Sequence, residues 1–406
     1  MKEKLILFTA AGFSIDFLEP KTESKEKLTT DFITKVITDY SFFKDEVFDC
    51  IKEQLGNKLD KESYLNDCKA IINKYSELYE IAKNELGVED TKNLNFEHLI
   101  YLSELISDTK KGELKGTILI EHKLKPIVLS NKFDNPDFTL NETLKIKALI
   151  LNVIYAYFKL RSNESDVLQS YFKKICSIYE FKYHTLNYDL VIENSINDFR
   201  KNTERDNNDN KNYYFNHLHG QIDLVSAKYL IGAEPAFNHR AGSMNSIVKE
   251  IGTGNFDSHE NRHDFDMITG FDKSTKMLND HYNKAYNKFV LDYHTSNEII
   301  IIGYSFNDKH INNILRANIR NYKKVIIVDY LKLEERTNDE IFRKIYFIFL
   351  QIWDNYLNYT SVNSDKLKNL IYHSEITNIY YHKEEEVEFE FHFDGCISFI
   401  KSQLNN

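Results

Sequence analysis

Two short clusters in this sequence combine residue types that could do chemistry. The first is His184-Thr185-Leu186-Asn187-Tyr188-Asp189, with polar side chains at every second position from Thr185. The second is His217-Leu218-His219-Gly220. A fixed amide such as Asn187 can orient a water or a hydroxyl, and a carboxylate such as Asp189 accepts hydrogen bonds. A histidine such as His219 titrates near neutrality and can act as a general base. Taken alone, His219 reads more simply as a satisfied core histidine. His217 shares its face under strict strand alternation and reads as structural. A third cluster, His259-Glu260-Asn261-Arg262-His263, spells the His-Glu-x-x-His of zinc proteases. That chemistry needs both histidines on one face of a helix. Gly252, Gly254, Asn255, Asp257 and Ser258 before it, with Asp264 and Asp266 after it, compose a loop instead. A zinc metalloprotease is therefore a remote alternative, and no metal is expected.

The surrounding elements must bring strand ends together. Ile178 to Tyr183 leads into the first cluster with the β-branched and aromatic residues of a strand, and Tyr213 to Leu218 leads into His219 in the same way. A helix starts after Asp189. Near the N-terminus, Leu5 to Phe8 is an apolar strand, followed after Thr9 by the small-residue turn Ala10-Ala11-Gly12-Phe13-Ser14. A strand, a tight turn and a helix start expose backbone N–H groups that suit a pyrophosphate. Further on, Glu298 to Ile302 is a strand of the buried parallel type. It ends in Gly303-Tyr304-Ser305-Phe306-Asn307-Asp308, and a helix begins near Asp308. Lys324 to Val328 is another such strand, with Asp329 at its tip. This alternation predicts an α/β fold with a Rossmann-like parallel sheet, in which ligands bind at the carboxyl ends of the strands.

At 406 residues the chain can form one large or two ordinary domains. Helical periodicity from Thr29 to about Asp108, and again over Leu140 to Leu160 and Asp166 to Cys176, predicts a helical insertion over about 29–178 within a domain spanning 1–330. The tail, 331–406, reads as a small C-terminal α+β appendage and a candidate oligomer contact. It holds a helix around Ile341 to Tyr356 and strand-like runs at Ile376 to His382 and Val387 to Phe393. In the last run Val387, Phe389, Phe391 and Phe393 alternate with Glu388, Glu390 and His392, which predicts one buried face. A net charge of −10 argues against direct nucleic-acid binding by bulk charge. Cys50, Cys68, Cys176 and Cys396 lie too far apart for a Cys-x-x-Cys zinc site or a disulfide framework. No apolar run approaches the roughly 20 residues of a membrane span. The N-terminal segment lacks a cleavage site, so a cytoplasmic location is expected.

Together these motifs resemble the sirtuin family. Sirtuins carry Thr-Gln-Asn-Ile-Asp where this chain has Thr185-Leu186-Asn187-Tyr188-Asp189, and a later His-Gly where it has His219-Gly220. They carry Gly-Ala-Gly-Ile-Ser where it has Ala10-Ala11-Gly12-Phe13-Ser14, and a Gly-Thr-Ser turn where it has Gly303-Tyr304-Ser305. Alanine at position 10 fits the same path as long as its φ stays negative. The resemblance spans residues 1 to about 330 and implies an NAD site. Ala10, Ala11, Gly12, Phe13, Ser14, Thr185, Gly303 and Ser305 would contact the dinucleotide, and Asp329 the adenosine ribose. Asn187 would orient a water, His219 would act as general base, and Asp189 would contact the nicotinamide carboxamide.

The four-cysteine zinc module of protein-deacylating sirtuins is missing, and a large helical insertion stands instead. In this the chain is similar to the sirtuin-like NAD hydrolases of bacterial antiphage defence. That resemblance implies NAD as substrate, cleavage to nicotinamide and ADP-ribose, homo-oligomers, and a hexameric DNA-translocase-like ATPase as partner. A non-catalytic NAD or ADP-ribose sensor, a protein deacylase and an ADP-ribosyltransferase remain as alternatives.

Overall fold

The computed structural model describes residues 2–15, 17, 73–76, 100, 146, 150–151, 153–154, 157–158, 165–195, 215–226, 239–240, 264–267, 280–353, 371–374 and 379–405. The chain forms two compact units. One is made of Met1–Glu19, Ser162–His219 and Asp280–Asn406, the other of Pro20–Arg161 and Gly220–Asn279.

The first unit is built around β1 (Lys4–Thr9), in which Leu5 to Thr9 are all buried. It leads into α1 (Ala11–Ile15). The chain returns to this unit with α2 (Asp166–Ile178), whose N-cap Ser165 accepts from the Leu168 amide. Then come β2 (Glu180–Thr185), α3 (Val191–Ser195) and β3 (Phe215–His217). β4 (Gly220–Ser226), β5 (His239–Arg240) and β6 (Asp264–Met267) form a separate antiparallel sheet in the order β5-β4-β6, within the second unit. The first unit resumes with α4 (Asp280–Thr295), β7 (Glu298–Ile302), α5 (Lys309–Asn318), β8 (Lys324–Val328) and α6 (Asn338–Ile352). β9 (Tyr372–Ser374), β10 (Ile379–Glu384), β11 (Val387–His392) and α7 (Cys396–Asn405) complete it.

The large sheet has the order β3-β2-β1-β7-β8-β11-β10-β9. Its first six strands are parallel, and β10 and β9 add an antiparallel edge. From β1 the chain steps outward through β2 to β3, then crosses back to the other side of β1 at β7. This is the doubly wound order, and its reversal point lies between β1 and β7, where such sheets bind ligands. The strands carry few polar residues because helices cover both faces. On one face Leu5, Leu7, Phe181, Tyr183, Ile300 and Val328 pack in one cluster with residues of α2 and α7. On the other, Phe8 stacks on Phe289 of α4 at 5.4 Å and meets Tyr304 edge-on at 5.4 Å. The α/β, Rossmann-like parallel sheet expected from the sequence is present.

The tail differs from the expected appendage. β11 pairs in parallel with β8, from Glu388↔Lys324 to His392↔Val328, and so takes the sixth place of the doubly wound order. It is also covered on both faces, where alternation predicted one. Glu390 and His392 are buried because α7 lies over them, with the His392 ring 4.8 Å from Phe399. Glu390 is satisfied by Lys324 at 2.7 Å and by His392 at 2.6 Å. Burial pushes its carboxyl upward, but these two partners outweigh burial and hold it below the ordinary glutamate range.

Most of the helical insertion expected over about 29–178 lies outside the described residues. Those described between 73 and 158 are helical, with Tyr75, Ile100, Ile146 and Ile150 fully buried. Among the described residues no helix is long and apolar enough to cross a membrane.

Candidate active site

The carboxyl ends of β3, β2, β1, β7 and β8 lie side by side, and each carries residues singled out from the sequence. At the end of β1 the chain turns through Ala10, whose amide donates to Ile302 O on β7 at 3.0 Å. The non-glycine residues with positive φ among those described are Phe306 and Glu385, so Ala10 meets the condition its alanine imposes. Gly12 and Gly303 are packed against one another. The Gly12 amide donates to Gly303 O at 3.0 Å, and a Cβ on Gly12 would lie 2.8 Å from Gly303 Cα. Gly303 has φ +66°, and a Cβ there would lie 2.3 Å from Phe13 N. The glycines at this crossing thus admit each other's backbone. The sequence reading gave the turn's N–H groups to a pyrophosphate. Those of Ala10, Gly12 and Phe13 are instead taken up within the protein, by Ile302 O, Gly303 O and Ala10 O. Phe13 is a core residue against Phe17, with ring centroids 5.2 Å apart. Ala11, Gly12 and Ser305 are exposed at this edge, where a ligand could meet them.

Asn187 is the hub. Its Nδ2 donates to Ala10 O at 2.9 Å and to Ser14 Oγ at 2.7 Å, which accounts for both amide hydrogens. Oδ1 is then the atom of this amide able to orient a water or a hydroxyl. The Ser14 hydroxyl, accepting from Asn187, donates to Asp189 Oδ2. Asp189 Oδ1 accepts from the Val191 amide at 3.1 Å, fixing the carboxylate at the start of α3. Ser14, Asn187 and Asp189 are all buried. The backbone of Asn187 is held as well. Its amide donates to Thr185 Oγ1 at 3.0 Å, and its carbonyl accepts from His217 Nδ1 at 2.9 Å. A carbonyl only accepts, so His217 carries its proton on Nδ1. Thr185 is fully buried, with its hydroxyl bonded to Thr9 Oγ1 at 2.9 Å. Tyr183 Oη reaches the same Thr9 hydroxyl at 2.8 Å. Thr185, expected to touch a dinucleotide, therefore fastens the Asn187 turn to β1.

His219 lies just beyond β3 and is buried, as is Tyr188, its ring neighbour at 6.5 Å. Its Nε2 is 3.5 Å from Asp308 Oδ2. Asp308 arrives from the far side of β1 as the N-cap of α5. The turn that carries it is strained at Phe306, a buried residue with φ 59° whose carbonyl accepts from Asn312 Nδ2 at 2.8 Å. Strain of this kind is retained where a site requires it.

Asp329 stands apart. It lies four strand positions from β3, about 19 Å at the usual spacing. Its Oδ2 is paired with Lys344 of α6 at 2.8 Å. His259 and His263 lie outside the described residues.

Behind the strand ends is a second buried set. His184 Nδ1 accepts from Asn216 Nδ2 at 2.9 Å, and Nε2 lies 3.2 Å from Asp292 Oδ2, off the line of a good hydrogen bond. Lys288 Nζ reaches Asp292 Oδ1 at 2.7 Å. Burial holds His184 below the ordinary histidine range, with Asp292 opposing it. Burial pushes Asp292 upward, but His184 and Lys288 together overcome it and keep the carboxyl low. The set is a neutral imidazole beside a carboxylate.

His217, Tyr188 and Asp308 were not singled out as functional from the sequence. The repeated histidine of His217-Leu218-His219 and the acidic helix cap were the available signals. What the sequence lacked was the register that sets β3 beside β2, with Thr185 opposite His217.

A SIR2-like domain model matches residues 182–350. The matched segment holds Thr185, Asn187, Asp189, His219, Gly303, Ser305, Asp308 and Asp329, and over it the chain is similar to a SIR2-like domain. No curated relative matches the chain. Two solved structures align over most of their length. One, on the structural basis of sirtuin substrate affinity, aligns at 10% identity over 80% of this chain and 82% of that one, with a TM-score of 0.32. The other, Sir2Tm bound to a propionylated peptide, aligns at 8% identity over 82% and 83%, with a TM-score of 0.33. Likeness at this level says nothing of the chain's activity.

Proposed function

We propose that this protein is an NAD glycohydrolase that cleaves NAD to nicotinamide and ADP-ribose. The observation that carries the reading is the buried hydrogen-bonded chain Ala10–Asn187–Ser14–Asp189 at the end of β1 and β2, with His219 at the end of β3 beside it. Four polar groups aligned at the carboxyl ends of parallel strands, next to the reversal point, form a ligand site by the ordinary rule for such sheets.

The chemistry follows from the substrate. The bond between ribose C1′ and the nicotinamide nitrogen breaks, and its electron pair leaves with the ring. The ring departs neutral and needs no general acid. C1′ passes through an oxocarbenium-like state. Asn187 Oδ1 orients the incoming water, whose oxygen forms the new bond to C1′, and His219 takes its proton. Asp189 accepts from the carboxamide N–H of the nicotinamide. Exposed Ala11, Gly12 and Ser305 border the path of the phosphates. The likeness to sirtuin-like defence hydrolases extends the proposal to depletion of cellular NAD during phage infection, by an oligomer acting with a DNA-translocase-like ATPase.

The test is to incubate purified protein with NAD, alone and with the product of a neighbouring gene, and to follow nicotinamide and ADP-ribose by chromatography. Release of both is expected. Asn187→Ala and His219→Ala are each expected to reduce kcat by at least about a hundredfold with unfolding still cooperative, the transition of Asn187→Ala coming earlier because Ala10 O and Ser14 lose their buried donor. NAD binding without release in either condition points instead to a sensor.

A further inference from the structure

We propose that Asp308 is a positioning residue for His219, orienting its ring and stabilising the positive charge it acquires on taking a proton. This rests on the hydrolase reading above for its catalytic meaning, but the pairing itself is a matter of geometry.

The two oxygens of Asp308 do different things. Oδ1 caps α5, accepting from the amides of His310 at 3.0 Å and Ile311 at 3.3 Å. Capping needs only that one oxygen, and Asn, Ser or Thr would serve as well. Oδ2 is turned toward His219 and lies 3.5 Å from Nε2, with the two side chains 11% and 5% exposed. At such burial a charge acts on its neighbour with little screening. The cap contributes too, since a helix N-terminus favours the ionised carboxylate.

The turn supports the placement. The Tyr304 hydroxyl lies within hydrogen-bonding distance of Asp308 O (3.0 Å) and Asn312 Oδ1 (2.8 Å), tying the cap to the first turn of α5. Among the described residues, the ionisable groups near the pair include Tyr188 from the turn after β2, with its ring 6.5 Å from that of His219, and Tyr286 of α4 and Tyr304, both of which feel the charge of Asp308. Burial first, and the charge of Asp308 second, push Tyr286 and Tyr304 well above the ordinary tyrosine range. Both stay neutral near pH 7 and do not compete with Asp308 for a proton. A base oriented by a second group is the usual arrangement in acid–base sites. Here the base follows β3 and its orienting carboxylate follows β7, on either side of β1.

Asp308→Asn separates the two functions, because asparagine keeps the cap and removes the charge. The experiment titrates the histidine ring signals by NMR in wild type and Asp308→Asn, with His219→Gln assigning the His219 resonance. It also measures the pH profile of nicotinamide release and the unfolding transition. In Asp308→Asn the His219 titration is expected to fall by about one pH unit or more. The acid limb of kcat/KM moves down by the same amount, kcat falls at least about tenfold with KM nearly constant, and the unfolding transition is unchanged. An unmoved His219 titration overturns the proposal. So does a loss of activity that is equal at every pH and accompanied by lower stability, which marks a structural cap. If the titration moves but wild type releases no nicotinamide, the hydrolase reading fails and the Asp308–His219 pairing stands.

Discussion

At the scale of single residues, the polar groups of this site are mostly occupied with one another. Ser14 is the clearest case. The sequence reading placed it against the dinucleotide, yet its hydroxyl accepts from Asn187 and donates to Asp189, leaving it as the link that aims both. The strand ends that carry Asn187, Asp189 and His219 were legible from the β-branched and aromatic runs before them, while the roles expected of these residues came from the resemblance to sirtuins. Their partners were not, because Ala10 and Ser14 lie more than 170 residues away in sequence. A prediction at this scale concerns His184. Its folded pKa lies below the unfolded value of about 6.5, so the unfolded chain binds the proton more readily. Stability should therefore fall as pH drops below about 6.5, by at most about 1.4 kcal/mol per pH unit for this one proton. Asp292, also held low, loses its contribution only at more acidic pH, below about 3.9. Urea unfolding of wild type and His184→Gln at pH 7.5 and 5.5 checks this. The variant should show the shallower dependence, and equal slopes would count against it.

At the scale of elements, the decisive feature is the crossing of two backbones at Gly12 and Gly303. The sequence reading valued both glycines for approach to a ligand. The structure shows a steric reason that no local pattern reveals, because the two turns are brought together only by the β1–β7 pairing. Gly303→Ala must adopt a positive φ and must also force its Cβ away from Phe13 N. The first cost alone is about 1–3 kcal/mol, so a total loss of more than about 3 kcal/mol is expected by denaturant unfolding. A loss under about 1 kcal/mol would mean that the crossing can open. Strand existence was the most legible property, since β7 and β8 are nearly pure Ile and Val runs. The buried acid of β11 misled the pattern, because Glu390 is inward-facing and satisfied by Lys324 from the neighbouring strand.

At the scale of the whole molecule, the C-terminal strands belong to the sheet that carries the site. Alternation in β11 was readable, but its partner strand was not, and an appended domain was the natural inference from a change in composition. The pairing with β8 makes a direct prediction. A chain ending at residue 330 leaves the β8 edge open and uncovers Ile326 and Val328, which pack in one cluster with Cys396, Phe399 and Ile400. Such a chain is expected to be insoluble or to lack a cooperative unfolding transition. Soluble expression with a sharp transition would show that the tail is dispensable to the fold.

The parallel register of β1 also has a consequence for biogenesis. Its register partner at Thr9 on one side is Thr185, and on the other is Ile302, 293 residues along the chain. A ribosome adding roughly 5–20 residues per second needs roughly 15 to 60 seconds to cover that interval. During that time Leu-Ile-Leu-Phe is an apolar strand with an open edge. Yield in a foreign host should therefore depend more on chaperone supply and synthesis rate than on equilibrium stability. The crossing at Gly303 and the Asp308 carboxylate arrive late in synthesis, so the strand ends that hold Asn187 and His219 are completed only when most of the chain has been made.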